Sequence, residues 1–219
     1  RAGYDYIGSS FGVTPALLGF WTKQGWVPAR LSIQRGASSG AHSLLMLTHL
    51  RTRGENMLLK ARGRFVAQFP YQLCDSLRGL DADLVCSLMK NAGPSGIEPD
   101  EADLADVRAF ACGQRLLEVS IGSVWRWVCH TLMSSSRASR LGKQELTLLV
   151  ARVLQKHGWQ ECAQQTGVAG RAQAQAEPNY HTLDKPTVQR QRAVGDGIEE
   201  PGLQEELLDI PAFLRRQAD

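Results

Sequence analysis

No apolar run in this 219-residue chain approaches the ~20 residues a membrane-spanning helix needs. Residues 1–20 lack the basic start and apolar block of a secretory signal peptide. The five cysteines (Cys74, Cys86, Cys112, Cys129, Cys162) stand far apart without a C-x-x-C pair, which argues against both a disulfide framework and a cysteine metal site. The five histidines are equally dispersed, so no metal ligation is expected. These absences lead us to expect a cytoplasmic protein with reduced, mostly buried thiols. Residue 1 is Arg rather than Met, and the text reads as if it opened in mid-domain, so a fragment is expected.

What is present is ordinary for a globular chain, with 43% hydrophobic and 21% charged residues. Charge becomes informative when it is divided. Residues 1–176 carry 20 Lys and Arg against 13 Asp and Glu, a balance of +7. Residues 177–219 carry 5 against 9, a balance of −4. The first part therefore suits a polyanion and the last part does not.

The pattern predicts an α+β fold in three segments. Residues 1–50 read as one helix and two or three strands. Thr14-Pro15 supplies an N-cap and a proline at the first helical position. Leu17, Leu18 and Trp21 form its apolar face, and Gly25 suits a left-handed stop. Tyr4–Ile7 reads as the end of a strand, and Val27–Ile33 and His42–Leu50 as two more, joined by a loop at 34–40. Residues 51–176 read as a helical domain. A helix is expected at Asp100–Gln114, where Pro99 and early acids suit an N-terminus. Another carries the stripe Ile121, Val124, Trp125, Val128 and Leu132. A third is expected from Lys143 to His157, stopped by Gly158. Residues 177–219, with Pro178, Pro186, Pro201 and Pro211, read as a disordered polar tail that regains hydrophobics only near its end.

Within the helical part, Arg51, Arg53, Lys60, Arg62 and Arg64 oppose a single acid, Glu55, and Arg137, Arg140 and Lys143 form a second basic group. Lys and Arg at phosphates give affinity and salt dependence without sequence choice, so these eight are the candidate RNA-binding residues. A solvated charged face is the alternative. Trp125 and Trp127 are of the type that stacks on bases, but Trp125 lies on the apolar stripe and is expected in the core.

The run Ser9-Ser10-Phe11-Gly12-Val13-Thr14, then Phe20-Trp21, Gly25-Trp26, Arg35 and Ala37-Ser38-Ser39-Gly40 resembles the tRNA(Met) cytidine acetyltransferase family. The similarity is near-continuous over residues 4–47. Beyond that it lies in the length and order of the helices, like the family's C-terminal tRNA-binding tail. The resemblance implies transfer of acetyl from acetyl-CoA to the wobble cytidine of elongator methionine tRNA, giving N4-acetylcytidine. It also implies a GNAT-type domain, present here only as its later helix and last strands (1–50), and an ATP- or GTP-hydrolysing helicase-like module. No P-loop G-x-x-x-x-G-K-[ST] occurs in the chain. That module and the fold's Q-x-x-x-x-G-x-G/A cofactor loop are expected upstream of Arg1. In the family a glutamate and a basic residue on the helix help hold acetyl-CoA. The basic position corresponds to Lys23, but Ala16 stands at the glutamate position. Lys23 is thus either a phosphate contact or a cation favoured by the helix dipole. No catalytic residue can be assigned, and Ser38-Ser39 reads as a turn rather than a nucleophile.

The last dozen residues, Leu208-Asp209-Ile210-Pro211-Ala212-Phe213-Leu214-Arg215-Arg216-Gln217-Ala218-Asp219, are similar to the C-terminal peptide of the tubulin-like division protein FtsZ. This second resemblance implies docking of cell-division adaptors through Leu208, Ile210, Pro211, Phe213 and Leu214. It makes an interaction protein the alternative to a tRNA-modification fragment. A chimera joined near Ala176–Pro178 is the simplest reconciliation.

Overall fold

The computed structural model describes residues 3–37, 39–93 and 96–167. The expected tail at 177–219, with its five candidate docking residues, lies outside the described residues.

The architecture is α+β. Strands β1 (Tyr6–Gly12), β2 (Val27–Arg35) and β3 (His42–His49) form an antiparallel sheet in the order β1-β3-β2. The last strand is central and the most apolar, and its Leu44 and Met46 are fully buried. β2 is an edge strand, which tolerates Pro28 next to its start because one row of N–H groups has no ladder partner. Helix α1 (Pro15–Lys23) connects β1 to β2. Thr14 Oγ1 accepts from the Leu17 N–H at 3.2 Å, Pro15 opens the helix, and Gly25 adopts φ 78° after it. Start and stop are thus where the sequence placed them. On the apolar face Leu18 is buried and Trp21 packs between Phe11 and Trp26, while Leu17 turns outward.

Among the described residues seven α-helices follow: α2 (Thr52–Gln72), α3 (Ala82–Ala92), α4 (Glu101–Ala111), α5 (Leu117–Leu132), α6 (Ser135–Ala138), α7 (Lys143–Leu149) and α8 (Trp159–Thr166). α2 lies against β2 and β3, and α3 against β2. One continuous core runs from Val13 and Leu18 through Leu44, Phe69, Leu88, Phe110, Val128 and Leu149 to Cys162. It therefore crosses residue 50, where the sequence analysis drew a domain boundary. Among the described residues no helix is long and apolar enough to cross a membrane.

Several expectations are corrected. The first strand extends through Ser9 and Ser10, polar residues that a strand accepts because Ser10 pairs its hydroxyl with Ser43 Oγ of β3 at 2.8 Å. The buried face of α5 holds Val124, Trp127, Val128, Thr131 and Leu132, so it is rotated from the expected stripe. Trp127 is buried and Trp125 is only half-buried. The helix expected over 143–157 widens into a π turn at Val150–Leu154 and stops there, before Lys156, whose φ is 57°. Gly158 instead starts α8, its N–H donating to Glu161 Oε2 at 2.9 Å. The early ending follows from outside contacts. Arg78 donates to the carbonyls of Gln155 and Lys156 at 3.0 and 3.1 Å, and Gln155 Nε2 donates to the Leu80 carbonyl at 2.7 Å. Cys129 and Cys162 are buried as expected, and burial pushes their thiols up to about 12 and about 11; Cys74 and Cys112 are exposed.

α4 and α5 are tied by charge. Asp103 completes a capping box with Asp100, accepting from the Asp100 N–H at 3.2 Å while Asp100 Oδ1 accepts from the Asp103 N–H at 2.8 Å. The same buried carboxylate receives both arms of the Arg126 guanidinium, Nε at 2.7 Å. A bidentate charge-assisted pair of this kind is stronger than a neutral bond. Hydrogen bonding from Arg126 holds the Asp103 carboxyl down to about 2. A depressed folded-state pKa contributes stability above the unfolded value of about 4 and loses it as pH falls towards 2. The melting temperature should therefore fall between about pH 4 and pH 2. Asp103→Asn should lower it at neutral pH and flatten that acid limb, as thermal melts followed by circular dichroism would show.

Two glycines of α2 make opposite predictions. A Cβ on Gly54 would run into the Asp5 carbonyl oxygen, where α2 passes close to the start of β1; one on Gly63 would meet nothing. Gly63→Ala should stabilise the fold by about 0.5–1 kcal/mol through lost backbone entropy of the unfolded chain. Gly54→Ala should destabilise it. Urea titrations of the two variants give the comparison.

Candidate nucleic-acid interface

The inner face of α2 is Gly54, Leu58, Phe65, Val66, Phe69 and Pro70, all buried. At about 100° per residue, this fixes where the cations point. Arg53, Lys60 and Arg64 fall within about 20° of one line on the opposite, outer face, and Tyr71 returns to the same line 18 residues after Arg53. All three cations are exposed, as are Met57 and Gln68 beside them. None of the three has an acidic partner among the described residues. The only acid in the helix, Glu55, lies on another face and stands 3.8 Å from His49 Nε2. The line is about 27 Å long at 1.5 Å rise per residue. Tyr71, 65% exposed, ends it beside Trp125 of α5, with ring centroids 5.3 Å apart and planes inclined by 33°.

The five cations counted at 51–64 are therefore divided by the helix. Arg62 lies about 180° from Arg53, on the inner side. It is half-buried, and its Nε donates to the Ala92 carbonyl at the end of α3. Its guanidinium lies over Gly93, which takes φ 75°. Arg51 precedes the helix as its N-cap and lays its guanidinium over Gly3. In the second group, Arg137 sits half-exposed on α6 and Arg140 is exposed just after it. Lys143 opens α7 and pairs with Asp83 at 2.8 Å. Three of the eight candidates thus form one unpaired line, while Arg62 and Lys143 hold contacts within the fold.

Sequence reading missed the alignment of Tyr71 with the cations. The spacing i, i+7, i+11, i+18 was visible in the text but needed an uninterrupted helix past Pro70 to have meaning. It also missed a cavity of about 480 Å³ between the end of β2, the α2–α3 loop, α7 and α8. Arg35, Arg78, Asp81, Asp83 and Lys143 line it. Two of its charges meet each other, Lys143 and Asp83, and Arg78 meets Glu161 outside the lining at 3.3 Å.

Lys23 stands exposed at the last turn of α1 without an ion-pair partner among the described residues, one turn beyond the exposed Phe20. A cation at that place can meet a phosphate. The N-terminus of the same helix is closed by its own Thr14 cap and by Pro15, which has no N–H to offer. α1 therefore supplies at most one charge towards a coenzyme A phosphate and no backbone cradle. The spacing Q-x-x-x-x-G-x-A, expected upstream of Arg1, does occur here at Gln165–Ala172. Its first two residues, Gln165 and Thr166, end α8, and residues 168–172 lie outside the described residues. Ser39 Oγ accepts from the Ala41 N–H at 3.3 Å, a turn contact; Ser38 is outside the described residues.

Residues 2–51 match the family described as GNAT acetyltransferase 2. Over 172 residues the chain is 44% identical to a tRNA(Met) cytidine acetyltransferase TmcA of Nitrosococcus halophilus, covering 78% of this chain and 23% of that protein. It is 31% identical over 175 residues to the TmcA of Vibrio cholerae, with 78% and 22% covered. A TmcA of Haloferax volcanii is 31% identical over 197 residues, with 89% and 24% covered. The chain thus spans about a quarter of the length of these curated relatives.

Proposed function

We propose, from the premise that this chain is a segment of the tRNA(Met) cytidine acetyltransferase family, that it holds tRNA against the acetyl-transfer domain. The relatives' names specify methionine tRNA as the nucleic acid and cytidine as the acetylated base. For this chain the reading is that β1, α1, β2 and β3 form part of an acetyl-CoA-using domain and that the helices fixed to it carry the tRNA. The observation that carries the reading is the unpaired line of Arg53, Lys60 and Arg64 on the outer face of α2. Because the inner face of the same helix packs on β2 and β3, RNA held on this line is placed at a fixed distance from the sheet. Affinity from such a line is electrostatic: each neutralised phosphate releases counterions. Arg137 and Arg140 are proposed to extend the contact, and Lys23 to meet a coenzyme A phosphate.

The chemistry itself needs a positioned amine and stabilisation of a tetrahedral oxyanion. Since this chain spans about a quarter of its relatives, those groups and the nucleotide hydrolysis are assigned to the remainder of the full-length protein. The chain alone is expected to bind methionine tRNA and to leave it unacetylated when acetyl-CoA and ATP are supplied.

The test is a titration of methionine tRNA at several salt concentrations. Binding should weaken as salt rises. Replacing Arg53, Lys60 and Arg64 together by Gln should reduce the slope of log affinity against log salt by about 2–3, at about 0.7–0.9 per phosphate contact. No binding at low salt, or a slope unchanged by the triple substitution, would remove the assignment.

A further inference from the structure

We propose that Tyr71 and Trp125 form a stacking platform for one unpaired nucleobase, at the end of the α2 cation line. The inference rests on the RNA reading above and adds to it the kind of RNA that this face accepts. Tyr71 is one of the most exposed large side chains described, at 65%. It is nevertheless held beside a second ring, with centroids 5.3 Å apart and planes tilted by 33°. Trp125 is braced from below, being half-buried against the core. An aromatic pair with a firm underside and an open upper face has lost much of its side-chain freedom before any ligand arrives. That pre-organisation lowers the cost of binding.

The placement selects the ligand. Tyr71 continues the line of Lys60 and Arg64, seven residues or about 10 Å beyond Arg64 along the axis. A strand whose phosphates lie on those two cations brings its next bases to the rings. Every base has a π-face, so stacking on Tyr or Trp is tolerant of sequence and adds to the phosphate contacts. A base inside a duplex offers no such face, because its neighbours already cover both sides, and recognition of unpaired loops is the usual alternative. The platform therefore takes a base from a loop or single strand, and the phosphates that follow a helical stem can still use the cations alone.

The experiment compares a short oligouridylate with an RNA duplex of the same length, both binding the whole chain and followed by fluorescence anisotropy. Tyr71→Ala should weaken the oligouridylate by about tenfold, within the range of one base–aromatic stack, and leave the duplex unchanged. Tyr71→Phe should restore the parent affinity. Arg64→Gln should weaken both RNAs alike. Since Tyr71 is exposed, a circular dichroism spectrum equal to the parent's is expected for each variant. Equal affinity of Tyr71→Ala and the parent for the oligouridylate would overturn the platform, as would equal losses on both RNAs, while leaving the tRNA reading standing. If the parent chain binds neither RNA at low salt, the platform falls, and the methionine tRNA titration decides the tRNA reading separately.

Discussion

The feature on which the rest depends is the burial of one side of α2. Phe65, Val66 and Phe69 leave water together with Leu58 and Pro70, in contact with β2 and β3. Fully burying side chains of this size contributes about 1.5–3 kcal/mol each, far more than any exposed charge on the helix can return. The apolar face therefore sets the rotation of the helix, and the charges go where that rotation sends them. With 3.6 residues per turn, Arg53, Lys60, Arg64 and Tyr71 must share the opposite side and Arg62 must turn inward. The candidate interface is thus a consequence of core packing. A change that rotated α2 would scatter the cations without altering one of them.

The inward turn of Arg62 shows how the same residue type takes two physical roles in one helix. Its Nε meets the Ala92 carbonyl, one of the acceptors that the end of α3 leaves without a helical partner. The left-handed Gly93 gives the guanidinium room, because a Cβ there would occupy its place. Lys143 is likewise bound to Asp83, and Arg78 to the carbonyls of Gln155 and Lys156 just after the π turn. These cations act as struts between helices. Counting Lys and Arg overstates the basic surface, since several of them are occupied within the fold.

How much of this was legible in the sequence depended on the reach of each signal. The cap of α1, the stop at Gly25, the acidic start at Asp100 and the three strands are local devices, and all are seen in the structure. The run from Ser9 to Ala37-Ser38-Ser39-Gly40 carried the family likeness, and residues 2–51 match the GNAT model. What could not be read were decisions taken at a distance. The π turn at Val150–Leu154 follows contacts from Arg78 and Leu80, some 75 residues away. The rotation of α5 follows from Asp103 and Asp106, which hold Arg126 and Ser123 and so draw that side of the helix towards α4. Trp125 was assigned to the core on a stripe that is correct to within one helical position. That single position separates a buried ring from one that can meet a ligand.

The same packing bears on the proposed RNA contact. The sheet side, which matches the acetyltransferase model, and the cation line are joined by a single rigid helix, and one hydrophobic core spans both. The Arg51 N–H donates across the boundary at residue 50 to the Asp5 carbonyl at 3.3 Å, beside the Leu50 N–H on the same oxygen at 2.8 Å. RNA bound to the outer face of α2, as proposed above, would be held in a fixed orientation to the strands, and part of the positioning that direct transfer requires would then be met on binding. Were the two parts tethered loosely, the same cations would supply affinity without orientation. The packing of α2 turns a charged surface into a ruler.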